Sequence, residues 1–318
     1  MDNDSEFPIG LHDVKLRREL VAGGWTDRDI ARAVRSGLIH RLRYGAYVDA
    51  ARWRSLDDDR DRHRARARAV LRTAHPSSVL THQSAMAEHI VSLWRLDLDD
   101  VALTRTDGIS GRREAGIVHH SGALHLEHLT VRHGVPVSTP ARTAVEVFTT
   151  TDGELGFCLL NALLHAGRTT LDEVRVVASQ SEHWPNTLGV RIALGLADAR
   201  LSSIAESRTL YLLHREGVPL PVPQVDVHDA LGRLLGRVDF LWPKHAVFLE
   251  FDGRIKYEIH RRPGETLGDY LMREKRREER ICQETGWICI RIGWADLEDP
   301  RELARRIRAI LARRATAA

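Results

Sequence analysis

One short run of residues limits what this chain can fold into more than any other: VFLEFD, at positions 247–252. The run is apolar except for Glu250 and Asp252, and it has the alternation of a β-strand. Alternate side chains of a strand point to one face, so the two carboxylates converge while Leu249 and Phe251 turn away. Such a pair is tolerated in three situations. The acids can be solvated at a sheet edge, one of them can keep its proton, or a cation can lie between them.

The residues around this strand predict a complete α/β unit. From residue 201 onward, the periodicity predicts the order helix, three strands, helix and strand. The expected segments are a helix at 201–217, strands at 221–229, 232–243 and 245–253, a helix at 271–287 and a strand at 288–294. Antiparallel pairing of the second and third strands would bring Asp239 close to Glu250 and Asp252.

These acids suggest a metal site. Asp239, Glu250 and Asp252 would lie within reach of one hard cation, and Glu206 on the preceding helix could complete the cluster. The pattern predicts Mg²⁺, with Mn²⁺ as an alternative, for metal-assisted phosphodiester cleavage. The competing interpretation is a solvated acidic sheet edge. It explains less well why Asp239 and Glu250 stand inside strands otherwise made of Val, Phe, Leu and Trp.

Residues 201–312, with these acids, resemble the PD-(D/E)XK nuclease fold, in particular small endonucleases such as the very-short-patch-repair (Vsr) enzymes. The resemblance implies that Asp239 is the motif aspartate and that Glu250 is the first acid of the (D/E)XK element. The lysine of that element would fall on Asp252, which could instead be a further metal ligand.

Two lysines could take the vacant role. Lys256 follows four residues after Asp252, and Lys275 lies on the next predicted helix. Either could orient a water or neutralise charge that develops on a phosphate. The charged segment between them could clamp a nucleic-acid backbone or be a solvated loop.

The first 56 residues predict a different unit. Between residues 12 and 72 there are sixteen Lys and Arg against nine Asp and Glu, a net charge of +7. The spacing predicts a helix that stops at Gly23-Gly24, then a second helix from a Thr26 cap to Gly37. The sequence LIHRLRYGAYV then predicts two strands that turn at Tyr44-Gly45. Helix, turn, helix and basic hairpin is the winged-helix pattern.

The basic side chains of this unit are candidate contacts to DNA grooves and phosphates. They are Arg28, Arg32 and Arg35 on the second helix, and Arg41, Arg43 and Tyr44 on the hairpin. Duplex DNA is the expected partner. The alternative is a small basic helical domain that mediates contacts between proteins.

The middle segment, residues 57–200, predicts helices and strands with several histidines on the strands: His119, His120, His125, His128 and His133. No carboxylate or cysteine stands at ligand spacing with them, and neighbours on a strand face opposite ways. Ordinary hydrogen-bonding histidines are therefore expected rather than a metal site.

Three stretches carry a second resemblance: GGWTDRDIARAVRSGLIHRLRYGAYV, LTHQSAMAEHI and GVPVSTPARTAVEVF. They are similar to the AbiEi-type antitoxins of type IV toxin–antitoxin systems. The resemblance implies a winged-helix repressor that binds operator DNA and offsets a separate nucleotidyltransferase toxin encoded nearby. It does not account for the last third of the chain.

Length and composition complete the expectation. A chain of 318 residues exceeds one ordinary core, which predicts an α/β multidomain protein. The expected domains are a winged helix at 1–56, an α/β middle domain at 57–200 and a restriction-endonuclease-like α/β domain at 201–318. No apolar run reaches membrane-spanning length, the acidic start is unlike a signal peptide, and three cysteines give no disulfide framework. A cytoplasmic protein without a membrane partner is expected.

Two functional hypotheses follow. The chain could be a magnesium-dependent nuclease that its N-terminal domains deliver to DNA. Alternatively, it could be a non-enzymatic, antitoxin-like repressor whose nuclease fold is degenerate. The missing lysine favours the repressor, whereas the presence of Asp239, Glu250 and Asp252 together favours the nuclease.

Overall fold

The computed structural model describes residues 7–90, 92–109, 113–252 and 264–315. Within these residues the protein is mixed α/β, as predicted, with thirteen α-helices and three β-sheets. The chain divides into two compact units, Met1–Leu194 and Gly195–Ala318. The finer boundaries expected after residues 56 and 200 stay predictions. No helix in the described ranges is both long and apolar enough to cross a membrane.

The N-terminal unit begins with a small three-stranded sheet of order β1-β3-β2 and three short helices. The elements are β1 (Lys15–Leu16), α1 (Arg17–Ala22), α2 (Asp27–Arg35), β2 (Ile39–Arg43), β3 (Ala46–Asp49) and α3 (Ala50–Arg54). The expected cap is present, because Thr26 Oγ1 accepts the N–H of Asp29 at 3.2 Å. The hairpin turns at Gly45, whose φ of +73° explains why glycine stands there.

The first helix is shorter than the sequence predicts. The sequence LHDVKLRRELVAGGW predicts a helix that begins at residue 11, but α1 begins only at Arg17. Lys15 and Leu16 pair instead with Tyr47 and Ala46 of β3, and the carboxylate of Glu19 accepts the N–H of Leu16 at 2.9 Å. Sheet pairing therefore displaces the first helical turns.

The rest of this unit is built on a six-stranded sheet of order β6-β7-β5-β4-β9-β8. Its strands are β4 (Ser78–Leu80), β5 (Val101–Arg105), β6 (Arg113–Glu114), β7 (Ile117–His120), β8 (Leu129–Arg132) and β9 (Val135–Ser138). Its helices are α4 (Asp59–Leu71), α5 (His82–His89), α6 (Pro140–Thr150), α7 (Gly153–His165), α8 (Leu171–Gln180) and α9 (Thr187–Leu196), the last of which runs across the division between the units. Pro140 opens α6 as expected.

The charged sequence of helix α4, DRDRHRARARAVL, predicts a solvated face, but much of the helix is buried. The Arg68 side chain is fully buried, and Nη1 donates to Glu88 Oε1 at 2.7 Å. Arg64 also pairs with Glu88, at 3.1 Å. A buried carboxylate shared by two guanidiniums turns an apparently polar helix face into part of the core.

The C-terminal unit follows the predicted order of elements, and two further helices complete it. They are α10 (Ile204–Arg215), β10 (Val222–His228), β11 (Leu234–Trp242), β12 (Val247–Phe251), α11 (Leu267–Thr285), β13 (Ile288–Ile292), α12 (Trp294–Glu298) and α13 (Pro300–Ala315). The sheet order is β10-β11-β12-β13. The first three strands are antiparallel, and β12 and β13 are parallel. This arrangement brings the carboxyl end of β12 close to β11.

Candidate active site and nucleic-acid interface

Strand pairing brings Asp239 and Glu250 together. Phe240 pairs with Leu249 in the antiparallel ladder of β11 and β12, so the next position places Asp239 opposite Glu250. Residues directly opposite share one face of a sheet. Asp239 is 7% exposed and Glu250 is 8% exposed. Both carboxylates are thus held on rigid, buried strands rather than at a solvated edge.

The carboxylate of Asp239 is fixed by the neighbouring strands. Its Oδ2 accepts the backbone N–H of Phe251 at 2.8 Å, so the side chain takes an acceptor position that a ladder carbonyl would otherwise fill. Its Oδ1 accepts from the side-chain amide of Gln224 at 3.3 Å. The orientation of Asp239 therefore depends on β12 and on β10.

Glu206 is connected to this pair through Gln224. It is fully buried, and its Oε2 accepts from Gln224 Nε2 at 2.8 Å. Its carboxylate also accepts from the backbone N–H of Ser202 and from the hydroxyls of Ser202 and Ser203 at the start of α10. The structure thus brings Glu206 into the site as an anchored neighbour of Asp239 and not as a side chain that lines the cleft.

Glu250 forms an ion pair that the sequence did not predict. Arg277 of α11 donates from Nη2 to Glu250 Oε1 at 3.0 Å. The guanidinium also donates to Glu274 at 3.0 Å and to the carbonyl of Arg237 at 2.8 Å. Burial opposes the positive charge of Arg277, but Glu250 and Glu274 outweigh it and raise the pKa of this arginine. A permanent cation therefore stands beside Glu250.

The remaining predicted site residues differ in position. The Asp252 side chain is 44% exposed, and its Oδ2 lies 3.7 Å from the guanidinium of Arg291. Lys275 is 68% exposed, and its Nζ lies 3.9 Å from Glu279 Oε1. An ion pair of this length is too loose to fix the lysine. Lys256 lies outside the described residues.

The carboxylates line an open cleft of about 680 Å³, a volume that suits a small ligand. Asp239, Glu250 and Asp252 line it together with a set of basic side chains. Those cations are Arg237, Arg273, Lys275, Arg277 and Arg291. Acids in the interior of a cleft with cations around them can receive a phosphate group and a cation at the same place.

The carboxylates of the cleft can be compared with the ligands that a divalent ion requires. Throughout the described ranges, no three His, Cys, Asp or Glu side chains are grouped closely enough to hold a metal by themselves. Mg²⁺ is usually held by only one or two carboxylates, with waters and substrate phosphates as its other ligands. Asp239 and Glu250 meet that smaller requirement in number and in chemistry.

The predicted DNA-binding side chains are mostly exposed. Arg28, Arg32 and Arg35 project from α2, and Arg41 projects from β2. Arg32 has a loose ion pair with Asp29 at 3.5 Å. Loose, exposed pairs contribute little to stability, so these guanidiniums remain available to phosphates.

The side chains of the hairpin differ in their exposure. Tyr44 is 89% exposed at the turn. Arg43 is half-buried and donates to Thr73 Oγ1 at 3.3 Å. His40 stacks on Trp53, with ring centroids 4.2 Å apart. Tyr44 and Arg41 are thus the hairpin residues best placed to meet a partner.

Four of the five histidines predicted for strands of the middle segment contact other protein side chains. His120 stacks on His82 with ring centroids 3.5 Å apart, and His133 Nδ1 lies 3.1 Å from Glu88 Oε2. His125 and His128 lie near each other, with ring centroids 6.4 Å apart. These contacts are aromatic and hydrogen-bonding in kind.

Sequence reasoning missed Gln224 and Arg277. Gln224 belongs to a strand, and its polar side chain is what the sequence of an exposed strand position would also show. Arg277 is one of several arginines on a charged helix, and nothing in its spacing separates it from Arg276 or Arg280. The only available signal was the position of α11 after the acidic strand, which made some helix cation a candidate.

No protein-family model matches the chain, and no curated protein matches its sequence.

Proposed function

We propose that this chain is a DNA-binding protein whose C-terminal unit hydrolyses phosphodiester bonds with Mg²⁺, or with Mn²⁺ in its place. The observation that carries the proposal is the pairing of Asp239 and Glu250, both buried, in a cleft that basic side chains also line. The order of elements around them supports the resemblance to PD-(D/E)XK nucleases. Asp239 and Glu250 would hold the ion, which would polarise the phosphodiester and the attacking water.

The side chains of the cleft have separate tasks in this scheme. The N–H of Phe251 and the amide of Gln224 keep the Asp239 carboxylate in one orientation. Lys275 and Arg273 line the cleft and would neutralise the phosphate. Hydrolysis adds water across one P–O bond: the hydroxyl joins phosphorus, and the departing sugar oxygen takes up a proton from solvent.

Cleavage assays test the proposal directly. The wild-type chain should nick or cut DNA with Mg²⁺ or Mn²⁺ and stop in EDTA, whereas Ca²⁺ should support binding but little cleavage. Glu250→Gln should reduce the rate by orders of magnitude while the variant still folds and binds DNA. Glu279→Gln, on the same unit but outside the cleft, is the matched control. Equal cleavage by Glu250→Gln and wild type would refute the assignment.

A second function is favoured by two other observations. Arg277 already compensates the charge of Glu250, and Asp252 stands where the resemblance places a lysine. Both are expected of a degenerate nuclease fold in an antitoxin-like repressor whose toxin is a nucleotidyltransferase. Such a chain would bind DNA and show no metal-dependent cleavage of any DNA or RNA substrate. An adjacent nucleotidyltransferase gene would support it further.

The N-terminal residues carry the proposed DNA interface in both cases. The sheet order β1-β3-β2, the helix α2 and the exposed hairpin support a winged helix. The exposed arginines Arg28, Arg32, Arg35 and Arg41 supply positive charge on its surface. We assign backbone contacts to these arginines and a groove contact to Tyr44, which projects from the turn.

Salt dependence tests this interface. The logarithm of the association constant should fall with the logarithm of salt concentration by about 0.9 for each phosphate contact. Arg32→Ala and Arg41→Ala should each lower that slope by about one contact. Arg175, exposed on α8 and paired with Asp172 at 2.7 Å, provides a control substitution to alanine. An unchanged slope in the double variant would remove these residues from the interface.

A further inference from the structure

One residue beside the cleft has an unusual backbone. Gln224 lies in strand β10 with φ of +51°, a conformation that side chains with a Cβ rarely adopt. On either side of it, Pro223 pairs with Phe240 and Val225 pairs with Val238. Gln224 therefore lies opposite Asp239. An unfavourable conformation in the middle of a regular strand indicates that something else stabilises it.

The side-chain amide of Gln224 explains what stabilises it. Nε2 donates to Glu206 Oε2 at 2.8 Å and to Asp239 Oδ1 at 3.3 Å. The NH₂ group and not the carbonyl of the amide faces both acids, since Nε2 is the donor in both hydrogen bonds. The left-handed backbone directs one amide group between the two carboxylates.

The two acids are not equivalent. Glu206 is fully buried and is held by Ser202 and Ser203 at the start of α10, so it is a fixed anchor. Asp239 lines the cleft opposite Glu250. Gln224 thus connects a rigid buried acid to the acid that faces the cleft.

We propose that Gln224 is a positioning residue of the divalent-cation site, which holds Asp239 in the orientation that faces Glu250. The inference rests on the proposed function, because it requires a cation at Asp239 and Glu250. Partners that orient metal-ligating carboxylates typically change metal affinity by about 10- to 100-fold when they are removed. A bridge that served stability alone would leave metal affinity unchanged.

The variants follow from the backbone geometry. Gln224→Gly removes the amide and also relieves the left-handed conformation, so the strand should keep its fold. Gln224→Asn tolerates the same backbone but is one methylene shorter, so its amide does not reach both acids. Ala246→Gly is the matched control, because Ala246 has the same φ of +51° at the opposite end of β12 and does not line the cleft.

Mn²⁺ titration of the full chain, followed by electron paramagnetic resonance, measures the effect without turnover. Gln224→Gly and Gln224→Asn should bind Mn²⁺ about 10- to 100-fold more weakly than wild type, and Ala246→Gly should bind it equally. Saturating Mn²⁺ should return DNA cleavage by Gln224→Gly to within about one order of magnitude of wild type, because the loss lies in cation binding. Glu250→Gln should not recover in this way.

Two results would overturn the inference, and they are distinguishable. A wild-type chain that binds no Mn²⁺ would remove the proposed function and this inference together. A wild-type chain that binds Mn²⁺ with the same affinity as both Gln224 variants would remove the inference alone and leave the nuclease proposal intact.

Discussion

Acid should destabilise the N-terminal unit through four uncharged histidines: His63, His82 and His89, which are buried, and His120, which is half-buried. Burial lowers the pKa of His63, His89 and His120 to about 4 and that of His82 to about 3. The hydrogen bonds of His63 suit a neutral ring. Its two ring nitrogens each lie 2.8 Å from a partner, one from the Leu98 carbonyl and the other from the Ser84 hydroxyl.

The sign and size of the pH effect on the unfolding free energy follow from the difference in histidine pKa between the folded and unfolded states. An unfolded histidine titrates at ~6.5, so these four take up protons on unfolding when the pH lies between their folded-state pKa and that value. Their stabilising effect is complete above pH ~6.5 and is lost as the pH falls toward the folded-state pKa. Each fully buried histidine should cost about 2 kcal/mol between pH 7 and pH 5. His120 is only half-buried, so its share should be smaller.

The total approaches the whole stability of an ordinary domain, which is about 5 to 15 kcal/mol. The buried carboxylate Glu88 does not contribute to the loss of stability between pH 7 and pH 5. Burial would raise its pKa, but His133, Arg68 and Arg64 outweigh burial and lower it to about 2. Its stabilising effect is therefore present above the unfolded-state value and is lost only at more acidic pH, as the pH falls toward about 2.

Urea unfolding at several pH values, followed by hydrogen exchange in peptides from residues 79–89, measures this dependence locally. The slope of unfolding free energy against pH gives the number of protons taken up, and His63→Gln should reduce it by about one proton. His12→Gln, at an exposed position, should leave the slope unchanged. A free energy that stays constant from pH 7 to pH 5 would refute the assignment of neutral buried histidines.

Two further substitutions probe the buried charges. Glu88→Gln should destabilise the N-terminal unit by about 3 to 5 kcal/mol in urea unfolding, since it takes the carboxylate from the fully buried Arg68 and leaves the buried Arg64 with Asp61 alone; a loss below ~1 kcal/mol would contradict this. In the C-terminal unit, Arg277→Ala should cost about 1 to 3 kcal/mol because Glu250 and the Arg237 carbonyl each lose a donor, whereas exposed Lys275→Ala should stay within ~0.5 kcal/mol. Equal effects in the two variants would show that the Arg277 contacts are not stabilising.

Local signals in the sequence were sufficient for much of the fold. Thr26 as a helix cap, Gly45 as a turn and Pro140 as a helix start each depend on a few neighbouring residues, and all three are present. The same is true of the strand that carries Glu250. Periodicity and capping act over a few positions, which is why they can be recognised without a structure.

Contacts between distant parts of the chain were not predictable in this way. The arginines of α4 look like a solvated face until Glu88, twenty residues later, is placed against Arg68. The pairing of Arg277 with Glu250 joins positions 27 residues apart. The side chain of Gln224 reaches Asp239 from a backbone that leaves the strand region. In each case tertiary packing, not local pattern, decides the partner.

The contact between Arg277 and Glu250 offers a way to distinguish a nuclease from a repressor. A cation bound at Glu250 would lie beside a guanidinium, and that repulsion falls when a phosphate arrives between them. In a nuclease, divalent-ion binding and DNA binding should therefore strengthen each other by the same factor, because binding free energies are reciprocally linked. We expect Ca²⁺, which supports little cleavage, to tighten DNA binding about 5-fold or more relative to EDTA in filter binding, and Glu250→Gln to abolish the gain. DNA affinity that does not respond to Ca²⁺ at constant ionic strength would favour a repressor in which Arg277 permanently takes the place of the metal.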